Sequence, residues 1–200
     1  MARLENNLKS GIFGGTFNPA HLGHLIAAAF IKEEFELDEI IFIPDKYPVH
    51  KQLDFEISAD IRIKMLELAV KDMPGFKISR IEIDRTGPSF TIVTLNEMKK
   101  EFPDTEFFLI VGADSYYDMV DWKNSFELIS ENNIIVMRRN GKSPDKNLYN
   151  YAKGIFFAEN PIVEISSTMI RNRISAGKSA ELLLSPEVSD FINKMRLYSN

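Results

Sequence analysis

Short apolar runs rich in β-branched and aromatic residues alternate along this chain with longer segments whose apolar positions recur at helical spacing. That alternation is the signature of a parallel sheet covered by helices. It places strands at Gly11 to Phe13, Glu39 to Ile43, Lys77 to Ile83, Phe107 to Val111, Ile134 to Met137 and Ile155 to Phe157. Leu22, Leu25, Ile26, Ala29 and Phe30 make one helical stripe directly after the first strand. Ser58 to Asp72 carries Ile61, Met65, Leu68 and Ala69 on one face, and Ser89 to Phe102 carries Ile92, Leu95, Met98 and Phe102. Near the end, Thr168 suits a cap before Ile170 and Ile174, and Pro186 suits the first turn of a last helix with Val188, Phe191, Ile192 and Met195. The expected architecture is a doubly wound, mostly parallel α/β sheet in one domain over residues 1–200, with the helices of 168–200 packed on it. Pro44 to Ile57 and Asn140 to Asn147, rich in Pro, Asp, Lys or Gly, read as loops.

Composition narrows the function. A chain of 200 residues with 44% hydrophobic and 26% charged residues can bury one core without a metal or disulfide staple. Cysteine is absent, which excludes a disulfide framework, an iron–sulfur cluster and a thiol nucleophile, and makes a protein-held zinc improbable. A net charge of −5 argues against wholesale nucleic-acid binding, yet a small anionic ligand stays compatible because local donors matter more than net charge. With no apolar run long enough for a signal peptide or a membrane span, neither secretion nor a membrane partner is expected, and the cytoplasm is the expected compartment.

In an open α/β sheet, ligands gather outside the carboxyl ends of the strands, so motifs that follow strands carry most weight. The densest is Gly14-Gly15-Thr16-Phe17-Asn18-Pro19-Ala20-His21-Leu22-Gly23-His24, between the first strand and the first helix. Glycines let the backbone approach a ligand, and free N–H groups at a helix start attract phosphate. His21 and His24 face the same way if both fall in the first turn, where two imidazole Nε2 donors can stabilise charge developing on a phosphate. Gly23 between them is expected to keep the wall low for a nucleotide. A second candidate is Ile165-Ser166-Ser167-Thr168-Met169-Ile170-Arg171, which offers hydroxyls and N–H groups at a helix start and a planar guanidinium one turn later. Asp114, just past a strand, suits either a ribose diol or the cap of the next helix; Trp122 suits either stacking on a flat ring or the core. Arg138 and Arg139 close another strand, and nothing in the pattern decides which of them meets a ligand.

GGTFNPAHLGH resembles the GxFxPxHxGH element of the HxGH nucleotidyltransferase superfamily, and ISSTMIR is similar to the ISSTxxR element near its C-terminus. Within that superfamily the chain, from Gly11 to the last helix, most resembles the bacterial nicotinate-nucleotide adenylyltransferase family. Pro44-Asp45-Lys46-Tyr47-Pro48-Val49-His50-Lys51 looks like that family's PxxxPPHK loop, with Val49 in place of the second proline. Further matches are Pro88-Ser89-Phe90-Thr91, Gly112-Ala113-Asp114 and Asp121-Trp122-Lys123. The resemblance implies a Rossmann-like fold of nucleotidyltransferase type and adenylyl transfer from ATP to nicotinate mononucleotide. It implies His21, His24 and Arg171 as catalytic residues. It implies ATP binding by Gly14, Gly15, Thr16, Phe17, His24, His50, Lys51, Gly112, Asp114, Ile165, Ser166, Ser167, Thr168 and Arg171. For the mononucleotide it implies Thr16, Thr91, Trp122, Lys123 and Arg139. The implied cofactor is Mg2+, held mainly by the ATP phosphates, with no protein metal ligands. Self-association is left open. Two rival readings share these elements: a sister adenylyltransferase for nicotinamide mononucleotide or phosphopantetheine, and a catalytically silent nucleotide-binding module. Gly141-Lys142-Ser143 and Gly177-Lys178-Ser179 echo a Walker loop, but Val136 and Asn172 stand where its first glycine is required.

Overall fold

The computed structural model describes residues 7–46, 57–139 and 144–199. In chain order these form β1 (Leu8–Gly15), α1 (Leu22–Glu34), β2 (Glu39–Pro44), α2 (Ala59–Val70), β3 (Phe76–Ile78), α3 (Ile81–Asp84) and α4 (Thr91–Glu101). There follow β4 (Thr105–Gly112), α5 (Ala113–Asp118), α6 (Ser125–Glu131), β5 (Asn133–Met137), β6 (Gly154–Phe157), α7 (Ser167–Ser175) and α8 (Pro186–Met195). The strands make one six-stranded sheet in the order β3-β2-β1-β4-β5-β6, with every neighbouring pair parallel. This is the doubly wound order: the chain winds outward from β1 to β3, then returns to the other side of β1 for β4. Between β1 and β4 the crossovers part, and a crevice opens at the strands' carboxyl ends.

Both faces of the sheet are covered, which is why the strands read as nearly continuous apolar runs. Alternate residues serve opposite cores. Phe13, Phe42, Ile110 and Ile135 pack with Leu25, Ala28 and Ile31 of α1, Met65 and Leu66 of α2, Ile170 of α7, and Val188 and Ile192 of α8. Ile12, Ile41, Leu109 and Ile134 pack on the other side with Leu95 and Met98 of α4, Tyr116 of α5 and Leu128 of α6. Gly11 permits the central contact, because a Cβ there would stand 2.7 Å from Ile40 Cδ1 and 2.9 Å from both Ile110 Cδ1 and Leu37 Cδ1.

Four local expectations need correction. The third strand ends at Ile78 rather than Ile83, since Ser79 Oγ accepts the Ile81 N–H at 3.3 Å and starts the short α3. Thr168 is not the cap of α7; Ser166 is, its Oγ accepting Met169 N–H at 3.1 Å. The buried stripe of α1 runs through Leu25, Ala28 and Ile31, leaving Phe30 49% exposed, because fully buried Ala28 lets the helix lie close on the sheet. Phe102 ends α4 as its C-cap and stays exposed. No helix among the described residues is long and apolar enough to cross a membrane.

Candidate active site

At the switch point lies a cavity of about 760 Å³, within the range of small-molecule sites. Its walls come from the β1–α1 turn, the start of α4, the β4–α5 turn, the end of β5 and the start of α7. First-turn residues of α1, α4 and α7 are among those that line it, so the positive ends of three helix dipoles lie at its edge.

The β1–α1 turn is held in a conformation that its residues do not favour locally. Phe17 has φ 47°, its ring is buried, and its edge meets the His24 ring at 5.1 Å between centroids. His21 is the N-cap of α1 and His24 its third residue, and their rings stack at 3.7 Å with planes 20° apart. The His21 backbone N–H donates to His24 Nδ1 at 3.3 Å, which makes Nδ1 an acceptor and leaves the His24 proton on Nε2. Burial, followed by the Arg139 guanidinium, pulls His21 down to about 4, so its ring is neutral near pH 7. Its Nδ1 is buried without a hydrogen-bond partner. Gly23 does not line the cavity as expected; a Cβ there would stand 3.0 Å from His21 Nδ1, so glycine makes room for the folded-back ring.

The start of α7 locks onto the same turn. Ser167 Oγ donates to Pro19 O at 2.8 Å, and Arg171 donates from Nη1 to Asn18 O at 2.9 Å and from Nη2 to Thr168 Oγ1 at 3.2 Å. Arg171 is 7% exposed, yet it lines the cavity with Ile165, Ser166, Ser167 and Thr168. Its charge is therefore held in a fixed place. At the ends of β4 and β5, Asp114 and Arg139 form a half-exposed pair, Nη1 to Oδ2 3.1 Å, over Gly112. Trp122 and Lys123 line the cavity beyond them.

Gly23 aside, the catalytic and binding residues expected from the sequence within the described residues line this one cavity: Gly14, Gly15, Thr16, Phe17, His21, His24, Thr91, Gly112, Asp114, Trp122, Lys123, Arg139, Ile165, Ser166, Ser167, Thr168 and Arg171. His50 and Lys51 lie outside the described residues. Between the two adjacent arginines the structure decides: Arg139 faces the cavity, whereas Arg138 Nη1 pairs with Glu159 at 2.6 Å.

Asn18, Asp45, Glu82 and Thr94 also line the cavity and had no assigned role, as does Ser89 of the matched Pro88-Ser89-Phe90-Thr91 run. Asp45 accepts the Thr16 hydroxyl at 2.8 Å and pairs with Arg62, itself 2% exposed, at 3.3 Å. Glu82 accepts Thr94 Oγ1 at 2.6 Å, and burial raises its carboxyl above the usual range despite hydrogen bonds from Thr94 and Ser89. Asp45's position just past a strand was the one available signal; a buried glutamate inside a run read as strand left none. Among the described residues the charged lining groups are Asp45, Glu82, Asp114 and Asp121 against Lys123, Arg139 and Arg171, so these carry no cationic excess. A cavity of that balance can hold an anion only through locally directed donors, not through bulk charge. Among the described residues no group of three or more His, Cys, Asp or Glu could hold a metal ion.

Residues 12–173 match the cytidylyltransferase-like family. A probable nicotinate-nucleotide adenylyltransferase of Lachnoclostridium phytofermentans is 38% identical over 95% of this chain and 98% of its own length. One of the same description from Bacillus licheniformis is 37% identical over 95% of this chain and 98% of its own. Among solved structures, Plasmodium falciparum nicotinic acid mononucleotide adenylyltransferase complexed with NaAD superposes with a TM-score of 0.82 at 20% identity. That likeness covers 95% of this chain and 97% of the other, and it shows a shared fold.

Proposed function

We infer the activity of this chain from the premise that it belongs to the cytidylyltransferase-like family and, within it, to the nicotinate-nucleotide adenylyltransferases. It transfers the adenylyl group of ATP to nicotinate mononucleotide, giving nicotinate adenine dinucleotide and pyrophosphate, a step of NAD biosynthesis. The observation that carries this reading is the stacked His21–His24 pair at the start of α1, meeting the start of α7 at one cavity.

A 5′-phosphate oxygen of the mononucleotide attacks the α-phosphorus of ATP in line with the departing bridge. The new P–O bond forms as the bond to the β-phosphate oxygen breaks, and pyrophosphate leaves with that electron pair. The attacking oxygen is already anionic near pH 7, since a phosphate monoester has its second pKa at about 6. No general base is required. Catalysis is then positioning of two mutually repelling phosphates and neutralisation of charge in the transition state. His24 donates from Nε2 to the α-phosphate, and neutral His21 supports the same oxygens with one N–H. Gly14 and Gly15 let the backbone near the phosphates; Arg171 and the Ser166 to Thr168 N–H groups take the β- and γ-phosphates.

Gly112 and Asp114 receive the adenosine ribose, with Phe17 and Ile165 as apolar support. Thr16, Thr91, Trp122, Lys123 and Arg139 receive the mononucleotide, the indole covering the pyridine ring. The described residues offer no cluster of three or more metal-ligating side chains, so a magnesium ion would be held mainly by the ATP phosphates. Its chemistry is to neutralise the triphosphate oxygens.

The test is pyrophosphate release by purified protein with MgATP, offering nicotinate mononucleotide and nicotinamide mononucleotide in parallel. Strong preference for nicotinate is the expected result. Preference for the amide keeps the chemistry and overturns the acceptor; no release with either turns the search to phosphopantetheine, and ATP binding without any release identifies a silent binder.

A further inference from the structure

The histidines are presented by a turn that cannot hold itself. Phe17 sits at φ 47°, in the left-handed region that a bulky side chain seldom adopts, so surrounding contacts must over-determine the segment. Besides the bond from the Thr16 hydroxyl to Asp45, four further ties that hold it come from afar. Arg62 Nη1 donates to Thr16 O at 2.7 Å, Arg171 Nη1 to Asn18 O at 2.9 Å, and Ser167 Oγ to Pro19 O at 2.8 Å. The fourth is Tyr198, whose hydroxyl donates to Asn18 Oδ1 at 2.6 Å.

Tyr198 differs from Arg171 and Ser167 in standing outside the cavity; the activity proposed above makes no use of it. It is 3% exposed, and Asn18, which does line the cavity, is 1% exposed. Its own segment is also held in left-handed backbone, with φ 51° at Arg196 and 63° at Tyr198, where α8 ends and the chain folds back. Two non-glycine left-handed segments, 180 residues apart, thus meet at one short buried hydrogen bond. Burial holds the hydroxyl above the ordinary tyrosine range, against Arg171 and Arg62, so it stays a donor at any working pH.

We propose that Tyr198 is a positioning residue for adenylyl transfer: its hydroxyl fixes Asn18, and through Asn18-Pro19-Ala20 it sets the place of His21 and His24 relative to Arg171. The inference rests on the activity proposed above. A small displacement of transition-state donors costs rate more than ground-state affinity, which separates this role from a general loss of stability.

The experiment compares steady-state pyrophosphate release by wild type, Tyr198→Phe, Asn18→Leu, the double variant and Asn18→Asp, with thermal unfolding and calorimetric binding of a non-reactive ATP analogue recorded for each. Expected for Tyr198→Phe is a fall in kcat of about ten-fold, with both KM values and analogue affinity within about two-fold of wild type. Asn18→Leu should fall at least as far and the double variant no further than Asn18→Leu alone, since both remove one interaction. Asn18→Asp keeps an acceptor for the hydroxyl and should retain most of the turnover. A Tyr198→Phe kcat within two-fold of wild type, multiplying losses in the double variant, or KM values rising in step with lost stability would each overturn the proposal. An inactive wild type would instead remove the activity reading, and the proposal with it.

Discussion

The two walls of the cavity are built to different tolerances. On the wall made by the β1–α1 turn and the start of α7, Asn18, His21 and Arg171 are all buried and the turn carbonyls are tied at 2.7–2.9 Å. On the wall made by Asp114, Trp122, Lys123 and Arg139, the one direct ion pair has side chains 51% and 45% exposed. Groups that must meet developing charge at fixed distance gain from immobility, because a donor already in place costs no reorganisation during reaction. Groups that admit and sort a substrate need to move aside for it. Under the proposed function, chemistry therefore falls to the buried wall and selection to the exposed one.

Breaking the rigid wall at its centre should have the largest effect. His24→Ala is expected to lower kcat by about two orders of magnitude, the scale of losing one oriented transition-state donor, with KM values little changed. Turnover near that of wild type would take the chemistry away from this wall. The next effect is on stability. Since His21 titrates at about 4 in the fold against 6.5 when unfolded, the unfolded chain binds more protons between those values, and stability falls as pH drops through that window. The neutral ring's full contribution is present above pH 6.5, and about 3 kcal/mol should be lost by pH 4, a difference that urea unfolding at pH 7 and pH 4.5 would largely capture. His21→Gln should flatten that window; an unchanged slope in the variant would assign the acid sensitivity elsewhere.

Changes on the open wall should be smaller and confined to one substrate. Trp122→Ala is expected to raise KM for the mononucleotide by up to about ten-fold, the worth of one aromatic stacking contact, leaving that for ATP in place. Equal losses for both substrates would show that the indole shapes the whole cavity. Smallest of all, Arg139→Gln should change unfolding free energy by less than about 1 kcal/mol, because its pair with Asp114 is half exposed. A larger loss in denaturant titration would mean that this wall is also structural.

The order in which strands and helices follow one another was legible because strand and helix periods differ and each element shows its buried face in its own residues. The Gly-rich turn was legible for a similar reason: Gly14, Gly15, His21 and His24 lie within a few positions of one another, and the turn's conformation keeps them together. Glu82 was hidden because its run, Lys77 to Ile83, alternates as a strand does, whereas the chain leaves the sheet at Ser79, whose Oγ accepts the Ile81 N–H. Arg62 and Tyr198 were hidden more deeply. A charged residue on a helix and a tyrosine near the last helix read as surface, and what buries them is an acceptor 46 and 180 residues away, respectively.

By itself, then, the sequence determined the α/β alternation, the Gly-rich turn before α1 and a helix start within the serine-rich run of α7, all of them set by near neighbours. Only the tertiary structure decided that Arg139 rather than Arg138 enters the cavity, that Gly23 serves the His21 ring, and that Asn18 is gripped from behind. Those outcomes depend on which distant groups share a buried volume, and desolvation there makes each polar partner matter far more than it would in water.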